Sequence, residues 1–157
     1  MRRAAFASAA RRPERRRGGT LLEFALVAPV LLLLFLAILE LAILFWVSLT
    51  MQHAVREGAR LAVTGAGGAM REVLVMQRIA EQSMGLHGLV HPVLHVNGVR
   101  APSDGAKPPP GLFGTGGGML LLRLDCRWPV ATPLLRPMLG EAFQFSVAAS
   151  MRNEAFE

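Results

Sequence analysis

Three histidines spaced by four residues, His87, His91 and His95, have the most suggestive spacing for chemistry in this chain. On a helix this spacing would align three imidazoles, a ligand set that zinc accepts. Gly88 and Pro92 oppose such a helix, because glycine and proline are poor helix formers. In a strand two of the imidazoles could still share a face, but no acidic or cysteine ligand is adjacent in sequence. A metal-dependent enzyme is therefore the weakest of three functional interpretations, and no metal site is predicted.

The remaining residue types offer no recognisable catalytic arrangement. The glycine run at residues 114–118 lacks the Lys-Ser/Thr pair of a phosphate-binding loop, and no serine lies in a Gly-x-Ser-x-Gly motif. Cys126 is the single cysteine, so an intramolecular disulfide is impossible. We expect it to be a small buried strand residue rather than a nucleophile. The sequence thus predicts a protein that is not an enzyme and has no cofactor.

A long apolar segment near the N-terminus precedes the rest of the chain and is the element to which it is attached. Residues 24–39 carry no charge, and the apolar run resumes after Glu40 as far as residue 49. These 26 residues would extend about 39 Å as a helix, whereas a bilayer requires only ~20 residues. Pro29 should kink the helix early. Glu40 has two explanations, a position near the outer interface, where its charge is less costly, or a contact with the helix of another subunit.

The charge distribution predicts the direction of the membrane crossing. The first 18 residues hold seven arginines and one glutamate, which accounts for the whole net charge of +6. A nucleic-acid-binding surface would include the folded domain, so nucleic acid is excluded as a partner. The positive-inside rule instead places the N-terminus in the cytoplasm and residues after about 50 outside it. The apolar run is too long for an ordinary secretory signal and predicts a retained anchor in the lipid bilayer.

The junction between the arginines and the apolar run resembles the processing site of type IV prepilin-like proteins. It reads RRGGTLLEF over residues 16–24. The resemblance implies a cut between Gly18 and Gly19, five residues before Glu23, with Phe24 next; a cut after Gly19 is the alternative. Glycine would not obstruct a protease, and the helix dipole favours a carboxylate near a helix start. The purely structural interpretation is a flexible Gly-Gly before a helix.

Two further stretches are LEFALVAPV at residues 22–30 and REGAR at residues 56–60. They narrow the resemblance to the TadE-like family of the tight-adherence (Tad/Flp) pilus system, and MRNE at residues 151–154 resembles the family's C-terminal ending. The resemblance implies a minor pseudopilin that is cut by a prepilin peptidase. The implied partners are the major Flp-type pilin, other minor pseudopilins and the assembly platform in the bacterial inner membrane.

Beyond the membrane the helix should continue to about residue 63. Small residues recur there with helical spacing around Gly58, which would let another helix approach closely. Glu57 and Arg60 are three residues apart and can pair on the helix surface. The predicted helix-packing set comprises Pro29, Glu40, Arg56, Glu57, Gly58 and Arg60. A break at residues 64–68 and a second helix over about 69–83, buried through its methionine-rich side, should follow.

The rest of the chain predicts a small sheet. Residues 92–99, 119–128 and 142–152 are strand candidates, the first containing the turn signal Asn97-Gly98 and the other two alternating between apolar and polar residues. Residues 100–118 are rich in proline and glycine and predict an exposed loop.

The predicted fold class is α+β, pilin-like, with about three antiparallel strands. The predicted domains are a basic leader (1–18), a transmembrane helix with its extension (19–63) and a periplasmic domain (64–157). We therefore predict a structural pseudopilin of the inner membrane. The alternative from another class is an uncleaved single-pass receptor or ligand-binding module.

Overall fold

The computed structural model describes residues 17–65, 68–102, 109 and 111–155. Most of the basic leader therefore lies outside the described residues, as do residues 103–108 and 110 of the predicted loop. The helices are α1 (Arg17–Val63), α2 (Arg71–Gln82), α3 (His87–Val90) and α4 (Arg136–Leu139), with 3-10 turns at Gly68–Met70 and Pro133–Leu135. The strands are β1 (Val93–Val96), β2 (Val99–Arg100), β3 (Met119–Pro129) and β4 (Ala142–Arg152).

Helix α1 contains 47 residues and ends at Val63, as the sequence predicted. It continues through Pro29 without a break in secondary structure. Within the described residues it is the one helix long and apolar enough to cross a membrane; its most apolar 18-residue window has a mean hydropathy of 2.9 and is 11% buried. Side chains that are this apolar and this exposed need a nonpolar surrounding, so α1 is suited to membrane anchoring.

Helix α1 is shared by two compact units, which are described separately: residues up to Phe35 form the first, and Leu36–Glu157 form the second. Between Gly19 and Phe35 every described side chain is exposed except the half-buried Ala28. The first unit therefore consists of bare helix, and the packed core lies in the second unit.

The second unit contains an antiparallel sheet with strand order β2-β1-β3-β4. The α+β fold class is confirmed, with four strands where about three were expected. The extra strand arises at Asn97-Gly98, where positive φ angles of 51° and 84° build a tight hairpin turn. Residues 92–99 thus divide between β1 and β2. The Asn97 side chain also accepts a hydrogen bond from the Leu121 backbone N–H, at 2.9 Å.

Strands β3 and β4 pair along their full length, from Met119 opposite Arg152 to Pro129 opposite Ala142. The predicted alternation is confirmed in β3, where the inward side chains of Leu120, Leu122, Leu124 and Cys126 are buried. Val147 and Ala149 are buried on the same face of β4. Because side chains alternate with period two, the opposite face leaves its arginines to solvent.

The sheet shares one core cluster with the second half of α1 and with α2. Helix α1 contributes the largest set of buried apolar residues: Val47, Met51, Ala54, Val55, Ala59, Ala62 and Val63. Helix α2 contributes Val75 and Ile79, while Met70, Val73 and Met84 are exposed. The predicted methionine-rich inward side was therefore wrong. The inward face is instead the one whose branched side chains, Ile79 and Val75, pack against Gly58 of α1.

The C-terminal residues connect the glycine-rich loop to α1. The buried Asn153 side chain donates hydrogen bonds to the carbonyls of Phe113 (2.8 Å) and Thr115 (3.0 Å), and the Glu154 backbone N–H donates to the Val63 carbonyl (3.0 Å). Ala101, Leu112 and Phe113 are buried, so the prediction of an exposed loop over residues 100–118 was wrong for these three residues. The apolar side chains add to the core, and Asn153 satisfies backbone carbonyls that would otherwise be unpaired.

Gly58→Ala should destabilise the second unit by about 1–3 kcal/mol, because the new Cβ would lie 2.6 Å from Ile79 Cγ1. The measurement is the free energy of unfolding by denaturant titration in detergent micelles. Gly88→Ala is the control, since a Cβ there meets nothing within 4 Å. Equal stability of the two variants would show that α1 and α2 do not depend on a glycine at their contact.

Candidate functional site

The predicted processing residues lie at the start of α1. The helix begins at Arg17, so Gly18 and Gly19 occupy its first turn. A Cβ on Gly19 would meet nothing within 4 Å, Glu23 is exposed, and the Phe24 side chain is 71% exposed. N–H groups in a first helical turn lack intrahelical partners, and glycine is the weakest helix former after proline. This turn can therefore open into the extended backbone that a protease requires.

Glu40 lies in the second unit and is buried, with 2% of its surface exposed. Its carboxylate accepts hydrogen bonds from the backbone N–H of Ala131 (2.8 Å), the backbone N–H of Thr132 (3.1 Å) and the Thr132 hydroxyl (2.8 Å). A buried carboxylate is tolerable only when its oxygens are paired in this way. Glu40 thus fastens the apolar helix to the connection between β3 and β4.

The backbone conformation of the β3–β4 connection directs the N–H groups of Ala131 and Thr132 toward Glu40. Thr132 has an extended backbone, and Pro133 opens the 3-10 turn that follows it. The Arg136 Nε–H donates to the Val130 carbonyl at 3.2 Å, and the Val130 N–H donates to the Glu141 carbonyl at 2.9 Å, which closes the connection at its base. Sequence reasoning placed Glu40 at the lipid interface or against another subunit and missed this partner. Threonine before proline is a common start of a helical turn, so Thr132-Pro133 could have located this turn but not its contact with Glu40.

The other residues of the predicted helix-packing set have separate surroundings. Gly58 is buried against Ile79 of α2, so the close approach that its small size permits is made within this chain. Glu57 and Arg60 form the predicted pair, with Oε1 and Nη1 3.3 Å apart. Arg56 and Pro29 are exposed. Glu57 and Arg60 therefore pair with each other and Gly58 packs against α2. For Pro29 and Arg56 the described residues show no helix-packing contact.

The three histidines do not converge. His87 lies in α3, His91 follows that helix with a left-handed backbone (φ 43°), and His95 lies in β1 with its Nδ1 3.4 Å from Asp125 Oδ2. Burial, and secondarily the nearby His91, lowers the pKa of His87. No group of three or more potential metal ligands occurs among the residues that the structure describes.

Cys126 is 3% exposed on the inner face of β3. Burial, followed by the negative charge of Asp125, raises the pKa of its thiol to about 12. Because only the thiolate is nucleophilic, the folded protein should leave this sulfur unreactive. We expect maleimide to modify Cys126 at neutral pH only after denaturation. Mass spectrometry before and after unfolding measures this, and rapid modification of the folded chain would contradict the described burial.

One apolar N-terminal helix followed by a small α+β domain defines a class of membrane-anchored proteins. Within that class, residues 18–60 match the model of the TadE-like protein family. The resemblance carried by the LEFALVAPV and REGAR stretches is thereby confirmed for residues 18–60. The match covers the processing segment, Glu40 and the Gly58 contact. No curated protein and no solved structure matches the chain.

Glu40→Ala should destabilise the second unit by about 1–3 kcal/mol, because the N–H groups of Ala131 and Thr132 would lose their acceptor. Amide hydrogen exchange at these two positions should accelerate in the variant. Glu23→Ala is the matched control, since it removes an exposed carboxylate from the same helix. Unchanged exchange in Glu40→Ala would show that the carboxylate does not hold the connection.

Proposed function

We propose that this protein is a minor pseudopilin that supports assembly of tight-adherence pili at the bacterial inner membrane. The observation that carries the proposal is the TadE-like match over residues 18–60, which includes the Gly18-Gly19 junction, Glu23 and the apolar run. The exposure of Gly19 and Glu23 near the start of α1 supports processing by a prepilin peptidase. The protein is proposed to have no catalytic activity of its own.

The proposed orientation rests on the arginine-rich leader. Seven arginines precede the apolar run, and the rest of the chain contains equal numbers of basic and acidic residues. Translocating the leader would be opposed by the membrane, so the N-terminus stays cytoplasmic and the second unit is periplasmic. The scissile bond then lies at the cytoplasmic face of the bilayer, where a membrane-embedded peptidase reaches it.

The proposed partners follow from the same arrangement. Apart from the charged Glu23 and the half-buried Ala28, the side chains of α1 between residues 21 and 35 are exposed and apolar, and they can pack against the helices of the major Flp-type pilin or of other minor pseudopilins. After cleavage the carboxylate of Glu23 would lie one helical turn from the new N-terminal amine, and opposite charges at this spacing can attract within or between subunits. The lipid bilayer and the assembly platform complete the proposed set of partners.

A second candidate, the uncleaved ligand-binding module, has one feature in its favour. A shallow groove of about 480 Å³ crosses the solvent face of the sheet, and its polar lining includes Arg123, Asp125, Arg127 and Gln144. Asp125 is already engaged, since its Oδ1 accepts a hydrogen bond from Arg123 Nε at 2.8 Å. The charged groups that line the groove therefore already bind one another in part, which leaves fewer of them for a ligand. We rank this function second.

When the chain is produced together with its prepilin peptidase, we expect the mature protein to begin at Gly19. Intact-mass and N-terminal peptide analysis of the membrane fraction measures this directly. Gly18→Leu should block cleavage, because a bulky side chain would obstruct the scissile bond, whereas the conservative Gly19→Ala should be cut.

Three outcomes separate the interpretations. A start at Thr20 would move the cut by one residue and leave the function intact. A chain that keeps its arginine-rich leader in the presence of an active peptidase supports the anchored module instead. Cleavage of Gly18→Leu at the wild-type rate would contradict the assigned junction.

A further inference from the structure

The connection between β3 and β4 exposes apolar side chains at one end of the second unit. We call residues 131–140 the tip segment. Within it Leu134 is 65% exposed, Met138 81% and Leu139 39%, while Leu135 is buried. Pro133 and Pro137 add further exposed apolar surface. A short segment that turns most of its apolar side chains outward has no stabilising contact of its own for them.

The position of the tip segment is defined by Glu40. The three hydrogen bonds to Ala131 and Thr132 hold the start of the segment at the level of Glu40 on α1. Exposed apolar side chains of α1 continue beyond that level, at Phe45, Trp46 and Leu49. Leu49 is nine residues further along, about 13 Å on a helix. The tip segment therefore lies beside the apolar surface of α1, not beyond its end.

The composition of the tip segment indicates what kind of apolar surrounding it contacts. Its sequence, ATPLLRPMLG, contains one charged residue, Arg136, whose Nε–H donates to the Val130 carbonyl and whose side chain is otherwise exposed between apolar neighbours. A single cation flanked by apolar residues is typical of the membrane interface, where the charged head reaches phosphate groups and the remainder contacts acyl chains. Trp46, six residues further along α1 than Glu40, is exposed, and tryptophan is an aromatic residue preferred at the membrane interface.

We propose that the tip segment docks into the interfacial layer of the phospholipid bilayer, on the side where the second unit lies. Leu134 and Met138 enter the region between headgroups and acyl chains, and Arg136 faces the phosphates. The segment also covers Glu40 and keeps its carboxylate away from lipid. The inference rests on the proposed membrane anchoring and adds a second lipid contact, which fixes the second unit against the membrane surface.

The test measures the depth of a nitroxide label in the full-length protein, reconstituted in phosphatidylethanolamine–phosphatidylglycerol vesicles. Met138→Cys reports the tip segment. Met119→Cys is the matched control, because Met119 is 67% exposed but begins β3, whereas the tip segment follows its other end, about 34 Å away. Leu32→Cys reports the apolar run of α1. The buried Cys126 does not compete for the label.

We expect the label at residue 138 to collide with oxygen more, and with a water-soluble nickel complex several-fold less, than the label at residue 119. The Leu32 label should show the strongest protection from nickel. Leu134→Cys provides a second reporter should Met138→Cys fold poorly.

Equal nickel access at residues 138 and 119, with Leu32 protected, would overturn the docking of the tip segment and leave the anchoring intact. Nickel access at Leu32 as well would overturn both. A residue-138 label shielded from oxygen and nickel alike would indicate a protein partner and would also overturn the lipid contact.

Discussion

A carboxylate in the middle of an apolar helix has to be paired, and this requirement determines how the rest of the domain is arranged. At the centre of a bilayer an unpaired Glu40 would cost roughly 2.5–3.5 kcal/mol. Here the backbone N–H groups of Ala131 and Thr132 supply its partners. These residues directly follow β3, so pairing Glu40 also fixes the end of β3 and the entry to β4 against α1. One acidic residue thus sets the register between the helix and the sheet.

The second constraint acts further along α1. Because Gly58 has no side chain, Ile79 of α2 packs so close to α1 that a Cβ at residue 58 would clash with it. Buried alanines on either side of Gly58 keep the adjoining surface of α1 equally small. The Glu154 N–H then closes the domain on the Val63 carbonyl. Between Glu40 and Val63, α1 is therefore held at its beginning, middle and end. A helix held at three points along its length supports the sheet rigidly.

Much of this fold could be predicted, because its strongest determinants are local. The end of α1 at Val63 and the bounds of β3 and β4 follow from helix breakers and from period-two alternation, which need no tertiary information. The inward face of α2 could not be predicted, because apolar residues occur on both of its sides and the choice depends on the gap left by Gly58. The partner of Glu40 is 91 residues away in sequence, and periodicity carries no information about such a contact.

The proposed processing segment and the packed core occupy different parts of the same helix, and this separation bears on the proposed cleavage. The buried apolar residues of α1 begin at Val47, whereas the proposed cut lies in the first turn. Removing the leader would therefore change the charge at the helix start without removing any core contact. If the proposed peptidase cuts there, it could act on a chain whose second unit is already folded. Glu23, exposed near the new terminus, would then be the acidic residue nearest the amine that cleavage creates.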